Sequence, residues 1–238
     1  MSTINLLFKK QYDINESIKV RIPTVGEVVD NEDDYYNIVY SITGMPIDFM
    51  VQLDDVGIDY TQITAFDLFM ILFEGIKEKD TSLIFGDLDL SKFEPTIDTE
   101  SKKVFLYDRE NDIIIDNFVH NKIACVLRKI HHLKKNIRKP GNEETKKYML
   151  ERARQKMKRN KNRSQESQLE PLIVALVNTE QFKYDYEGTR ELSIYQFNES
   201  VAQIIHKDNY ENLMHGIYAG TVNAKEIKQS ELNWLTHE

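Results

Sequence analysis

The sequence predicts an α+β protein that is predominantly α-helical, and three observations carry that reading. Apolar residues recur at spacings of three and four through most of the chain. Alternating, β-branched stretches are few and short. Apolar content of 41% with 29% charged residues over 238 residues supplies enough hydrophobic side chains for a sizeable core. Three regions are expected: an acidic N-terminal lobe over 1–115 with short helices, strands and a small β-hairpin; a central basic helical hairpin over 116–163; and a helical C-terminal lobe over 164–238.

From the N-terminus, Ser17 to Arg21 alternate as a short strand does, and Thr24 with Glu27 in "PTVGE" has capping-box spacing, which starts a helical turn. "YYNIVYSITG", "PIDFMVQLDDVG" and "TAFDLFMILFEGI" then read as three short helices punctuated by Gly44, Pro46, Gly57 and Thr64. Tyr35, Tyr36, Phe49, Met50, Phe66, Phe69, Met70 and Phe73 sit at core-facing helical spacings and are assigned to packing rather than to a binding groove.

"SLIFGDLDL" is rich in strand formers, and "KKVFLYDRENDIIID" holds two apolar runs around the polar turn Asp108 to Asp112, so a strand and then a β-hairpin are predicted. Asp108, Glu110 and Asp112 are spaced like the start of a calcium loop, but Ile113 stands where that loop needs glycine.

Val119, Ile123, Val126, Ile130, Leu133 and Ile137 follow a heptad and predict a long helix that "KPGN" at 139–142 stops. Asn142 is placed as the N-cap of a second helix, whose Met149, Leu150, Ala153 and Met157 form a narrow apolar seam expected to pack on the first. "NKNRSQESQ" reads as a mobile linker. Helical patterning resumes in "LEPLIVALVN", "LSIYQFNESVAQII" and "YENLMHGIYAG". Asn223 and Glu226 have capping-box spacing, and Trp234 between Leu232 and Leu235 predicts a docked C-terminus, on the chain's own core by default.

Charge is the feature that carries function. Residues 1–121 hold 10 basic and 24 acidic side chains, net −14; residues 122–163 hold 16 and 3, net +13; residues 164–238 hold 5 and 12, net −7. The basic segment therefore sits between two acidic ones. Lys147, Arg152, Arg154, Lys158 and Arg159 flank the seam of the second helix and are the candidate partner-binding residues. The expected partner is an acidic protein surface, on another protein or on a second copy of this chain, unless the hairpin folds back onto the chain's own acidic lobe. A nucleic-acid backbone is the alternative, weakened by the scarcity of aromatics on the helix and by the acidic surroundings.

Catalytic motifs are missing from the sequence: no phosphate loop, nucleophile elbow, H-E-x-x-H or dinucleotide fingerprint occurs. Carboxylate pairs such as Asp33 with Asp34 and Asp54 with Asp55 come without a partner base or nucleophile. His120 and His131 are too far apart along one helix to share a metal, and the lone Cys125, among apolar neighbours, is expected to be buried. No enzyme activity, cofactor or metal is expected. No apolar run is long enough to span a bilayer and "MSTINLLFKKQYD" lacks signal-peptide features, so the chain is expected to stay where it is made.

"LEPLIVALVN", "SIYQFNESVAQI", "NYENLMHGIYAGTV" and "ELNWL", with "PTVGEVV" and "LDDVGIDY", resemble proteins encoded among the tail and baseplate genes of tailed bacteriophages and prophages of Gram-positive hosts. The resemblance runs through most of the chain. It implies a virion structural or assembly protein, a tail or baseplate component or a tail-assembly chaperone, found in the virion or in the host cytoplasm during assembly, whose partners are other phage structural proteins or copies of itself. It assigns no site residues.

Overall fold

The computed structural model describes residues 4–99, 102–160 and 167–235. Most of "NKNRSQESQ", the predicted linker, lies outside the described residues. Of the described residues 56% are helical, and two small antiparallel sheets accompany them, as the apolar periodicity requires.

A two-stranded ribbon opens the fold: β1 (Gln11–Asp13) pairs with β2 (Lys19–Arg21), Tyr12 opposite Val20. The predicted capping box then starts α1 (Val25–Val29). Thr24 Oγ1 accepts the Glu27 N–H at 3.2 Å and Glu27 Oε2 accepts the Thr24 N–H at 2.8 Å. Helix α2 (Glu32–Thr43) buries Tyr35, Ile38, Val39 and Ile42 along one face. A 3-10 turn at Pro46–Phe49 leads into α3 (Met50–Asp55), and a second capping box, Thr64 with Asp67, starts α4 (Ala65–Lys77). The three expected helices are thus present. Tyr35, Phe66, Phe69 and Phe73 are buried, while Tyr36, Phe49, Met50 and Met70 pack partly buried against the core.

"SLIFGDLDL" is not a strand. It forms a one-turn helix, α5 (Ser82–Phe85), and a 3-10 turn at Leu90–Lys92. Asp80 accepts the Ser82 N–H at 2.9 Å at the start, and Gly86, at φ 62°, ends the turn in a conformation that other residues resist. Ile84, Phe85 and Leu90 are buried in either reading, which is why a short apolar run does not distinguish the two. Strand β3 (Glu94–Ile97) then pairs with β4 (Val104–Asp108), and β4 with β5 (Ile113–Ile115), Leu106 opposite Ile115. The hairpin turn is held by Asp108, whose carboxylate accepts from the Glu110 N–H (2.9 Å) and the Asn111 side chain (2.7 Å).

Helix α6 (Asn117–Ile130) lays His120, Ile123, Val126, Leu127 and Ile130 on the core. It ends well before "KPGN". The Leu133 N–H reaches the Arg128 carbonyl (2.9 Å) and the His132 N–H the Lys129 carbonyl (3.4 Å), a Schellman closure with His132 at φ 53° in the position glycine normally takes. Leu133 still packs on the core, whereas Ile137 is 75% exposed. Cys125, expected to be buried, is exposed, because the core-facing stripe runs through its neighbours 123, 124, 126 and 127.

Helix α7 (Glu143–Asn160) starts at the predicted cap, Asn142 Oδ1 accepting the Thr145 N–H at 2.8 Å. It packs on α3 and not on α6 as the seam predicted. Helices α8 (Leu169–Val177), α9 (Tyr186–Glu191) and α10 (Ile194–Tyr218) follow, then short 3-10 turns at Ala224–Glu226 and Gln229–Leu232. The two runs "LSIYQFNESVAQII" and "YENLMHGIYAG" thus join in one 25-residue helix. The segment around Trp234 docks on α10: the Gln203 side chain donates to the Trp234 carbonyl (2.7 Å) and Lys207 Nζ sits 5.9 Å from the Trp234 ring centre.

One hydrophobic core unites these elements. Leu169, Leu176, Phe182, Ile194 and Phe197 belong to the same cluster as Leu6, Val25, Phe73 and Leu127. A backbone clasp closes it: the Val25 N–H donates to the Leu192 carbonyl and the Ile194 N–H to the Pro23 carbonyl, each at 2.8 Å, around a Thr24–Ser193 bridge. A smaller cluster of Ile47, Leu53, Tyr60 and Leu68 sits around α3. None of the described helices is long and apolar enough to cross a membrane.

Candidate partner-binding helix

Seven of the eighteen residues of α7 are Lys or Arg, and none of its residues is buried. Three attachments hold it. Met149 packs against the α3 cluster, Lys146 Nζ lies 2.7 Å from Asp59, and one guanidinium nitrogen of Arg154 lies 2.6 Å from Asp54 and 2.7 Å from Asp55. The Asp54–Asp55 pair stands at the C-terminal end of α3, where the helix dipole adds to the attraction for a cation.

These pairs are mutual. The hydrogen bond from Lys146, with those from Thr61, lowers the Asp59 carboxyl to about 2, and Asp59 in turn raises Lys146. The Asp55 and Asp54 bonds raise Arg154. A carboxyl held below its ordinary 3.8 favours docking at all pH values above that figure, and the favour is lost as pH falls through about 2. Asp54, Asp55, Asp59 and Arg154 remain 37–55% exposed, Lys146 20%, so the attachment is weak and screened by salt.

The five predicted contact residues therefore divide. Arg154 faces inward and is taken by carboxylates of its own chain. Lys147, Arg152, Lys158 and Arg159 are exposed on the outer face, and none makes an ion pair among the described residues. Arg152 lies 5.7 Å from the ring centre of Tyr148, which is 58% exposed, adding a flat apolar element to the basic face. Lys134, Lys135, Arg138 and Lys139, in the segment before the helix, extend the positive surface.

A second feature escapes a reading of charge by segment. A cleft of about 1400 Å³ opens between the β1–β2 ribbon, α5 and the start of α10, and Lys9, Lys10, Lys19, Arg21 and Lys92 lie along it. These are half of the basic side chains of residues 1–121, gathered on one side of an otherwise acidic region. Arg21 pairs with Glu27 (2.6 Å) and Lys92 with Glu110 (2.6 Å), and the cleft also holds Asp87 and Asp89.

The buried histidines are core groups. His120 Nε2 donates to the Ile42 carbonyl at 3.0 Å, and His131 Nε2 lies 2.9 Å from the Tyr35 hydroxyl. Burial lowers His120 to about 4 and His131 to about 3, so both are neutral at pH 7. Among the described residues no three His, Cys, Asp or Glu side chains converge as a metal site.

The molecule is thus a helical α+β protein whose most distinctive surface is a basic helix tied down by its inner face and open on its outer one. Residues 158–238, from the last turn of α7 through α8, α9 and α10, match the family described as the YomV second domain. YomV is a protein of Bacillus phages and prophages, so the similarity points to a phage-related family for the C-terminal third of this chain. No curated protein and no solved structure matches it.

Proposed function

We propose that this is a phage-encoded structural or assembly protein, a tail or baseplate component or a tail-assembly chaperone, that works through protein–protein contacts and catalyses no reaction. It acts in the virion or in the host cytoplasm during assembly. The observation that carries the reading is the outer face of α7: Lys147, Arg152, Lys158 and Arg159 stand in solvent while the inner face anchors the helix. Charge displayed in this way favours encounter with an acidic partner surface and fixes its orientation. The YomV-like C-terminal region supports the phage association.

Reversing all four outer residues to Glu tests it. Particles or tail intermediates purified from an infected or induced host should lose the variant while retaining wild-type protein in fixed stoichiometry by mass spectrometry. Normal assembly of the variant would sink the proposal. A steep negative salt slope of DNA or RNA binding by the wild type, abolished in the same variant, would instead assign the face to nucleic acid.

A further inference from the structure

The inner face of α7 and the surface it covers form a plug and a socket. The plug is Lys146, Met149 and Arg154; the socket is Asp54, Asp55 and Asp59 set around Leu53 and Tyr60. The plug side of this joint is not deeply packed. The helix buries no residue, the carboxylates it meets are 37–55% exposed, and beneath it the Tyr60 hydroxyl is buried without a hydrogen-bond partner among the described residues. The connection from α6 is of the same kind. Residues 131–142 contain neither helix nor strand and most of their side chains are exposed; past Leu133 a hydrogen bond from Asn136 to Asp48 at 2.7 Å ties them to the acidic lobe. Drawn out, the nine residues past Leu133 reach about 30 Å, roughly the width of a small domain.

We propose that α7 is an exchangeable arm: it leaves its own socket and fills that of a second copy, while the arm of that copy returns the contact. A second copy is the occupant because the complementarity is already on display. The two plug cations meet the three socket carboxylates in register, and an identical chain offers an identical plug, which a twofold axis delivers to both sockets at once. In-chain docking and exchange make the same contacts, so subunit concentration set against the effective concentration of the tethered arm decides between them. Dilute protein keeps its arm; protein crowded at an assembly site trades it. The exchange uses the inner face, and Lys147, Arg152, Lys158 and Arg159 take no part, so it goes beyond the outer-face reading and stands or falls separately.

Two variants test it. In one the plug is reversed, Lys146→Glu with Arg154→Glu; in the other the socket is reversed, Asp54→Lys, Asp55→Lys and Asp59→Lys. Light scattering on size-exclusion eluates between about 10 µM and about 1 mM, the range of tether effective concentrations, should show wild-type dimer increasing with concentration. Each variant alone should dimerise at least tenfold more weakly, about the effect of losing a modest ion-pair set. Their equimolar mixture should recover dimer, which native mass spectrometry identifies as the heterodimer, because each plug now meets a socket of opposite charge only on the other chain. A carbodiimide cross-link between Lys146 and Asp59 provides a measurement on unaltered protein: in a mixture of light and isotopically heavy chains it should yield mixed-isotope linked peptides near the upper concentration and same-chain peptides when dilute. Wild type that stays monomeric throughout, a dimer indifferent to both reversals, or cross-links that never mix isotopes would each overturn the exchange.

Discussion

Acidifying the protein from pH 7 to pH 5 should cost it about 4 kcal/mol of stability, and two side chains account for the loss. His120 is 1% exposed beside Phe66 and Phe69, and His131 is 9% exposed beneath Tyr35 and Tyr36. Burial lowers them from 6.5 to about 4 and about 3, so the folded chain refuses protons that the unfolded chain accepts throughout pH 6.5 to 4. Stability is fully present above about 6.5 and drains as pH falls through that window. At pH 5 each histidine has lost 1.5 units of the difference, about 2 kcal/mol at 1.36 kcal/mol per unit. Two such losses remove a large part of the 5–15 kcal/mol typical of a domain. Urea unfolding followed by far-ultraviolet circular dichroism at both pH values measures the change directly. His131→Gln keeps a hydrogen-bonding group for Tyr35 but cannot take up a proton, so it should start less stable and lose only about half as much on acidification. A midpoint that does not move between pH 7 and pH 5, or a loss undiminished in the His120→Gln, His131→Gln double variant, refutes the assignment.

Two other outcomes follow from packing and exposure. Phe73, fully buried against Phe69 in the main core, should cost about 3–5 kcal/mol when replaced by Ala, seen as a lower urea midpoint with unchanged slope. Cys125, exposed on the outer side of α6, should react with a thiol-specific reagent in native protein at a rate close to that in urea; protection until unfolding would place it in the core after all.

What could be read from the sequence was local. The Thr24–Glu27 box, the Asn142 cap, the turn built on Asp108 and the buried stripe of α6 all depend on residues a few positions apart, and their spacing is enough. The errors occurred where distant contacts decided. Nothing near His132 announces a left-handed residue, because the closure is stabilised by Leu133 returning to the core and by Asn198 reaching the Ile130 carbonyl from α10. The seam of α7 is legible but its partner is not: Asp54 and Asp55 look like an idle pair of acids until the fold sets Arg154, a hundred residues on, against them. Of the five candidate contact residues on α7, the fold turns Arg154 inward and gives it a different task from its neighbours.

The clasp between Pro23–Val25 and Leu192–Ile194 also sets a schedule. Its halves are roughly 170 residues apart, 24 to 193, so at 5–20 residues per second a ribosome needs about 10–30 s to deliver the second after the first. Throughout that interval Val25 and Val28 have only part of their eventual cover, and the core cannot be completed from the N-terminal end alone. A nascent chain released early, or truncated before Ser193, should therefore be a sticky intermediate and a client for holdase chaperones, whatever the fate of the basic helix in the middle.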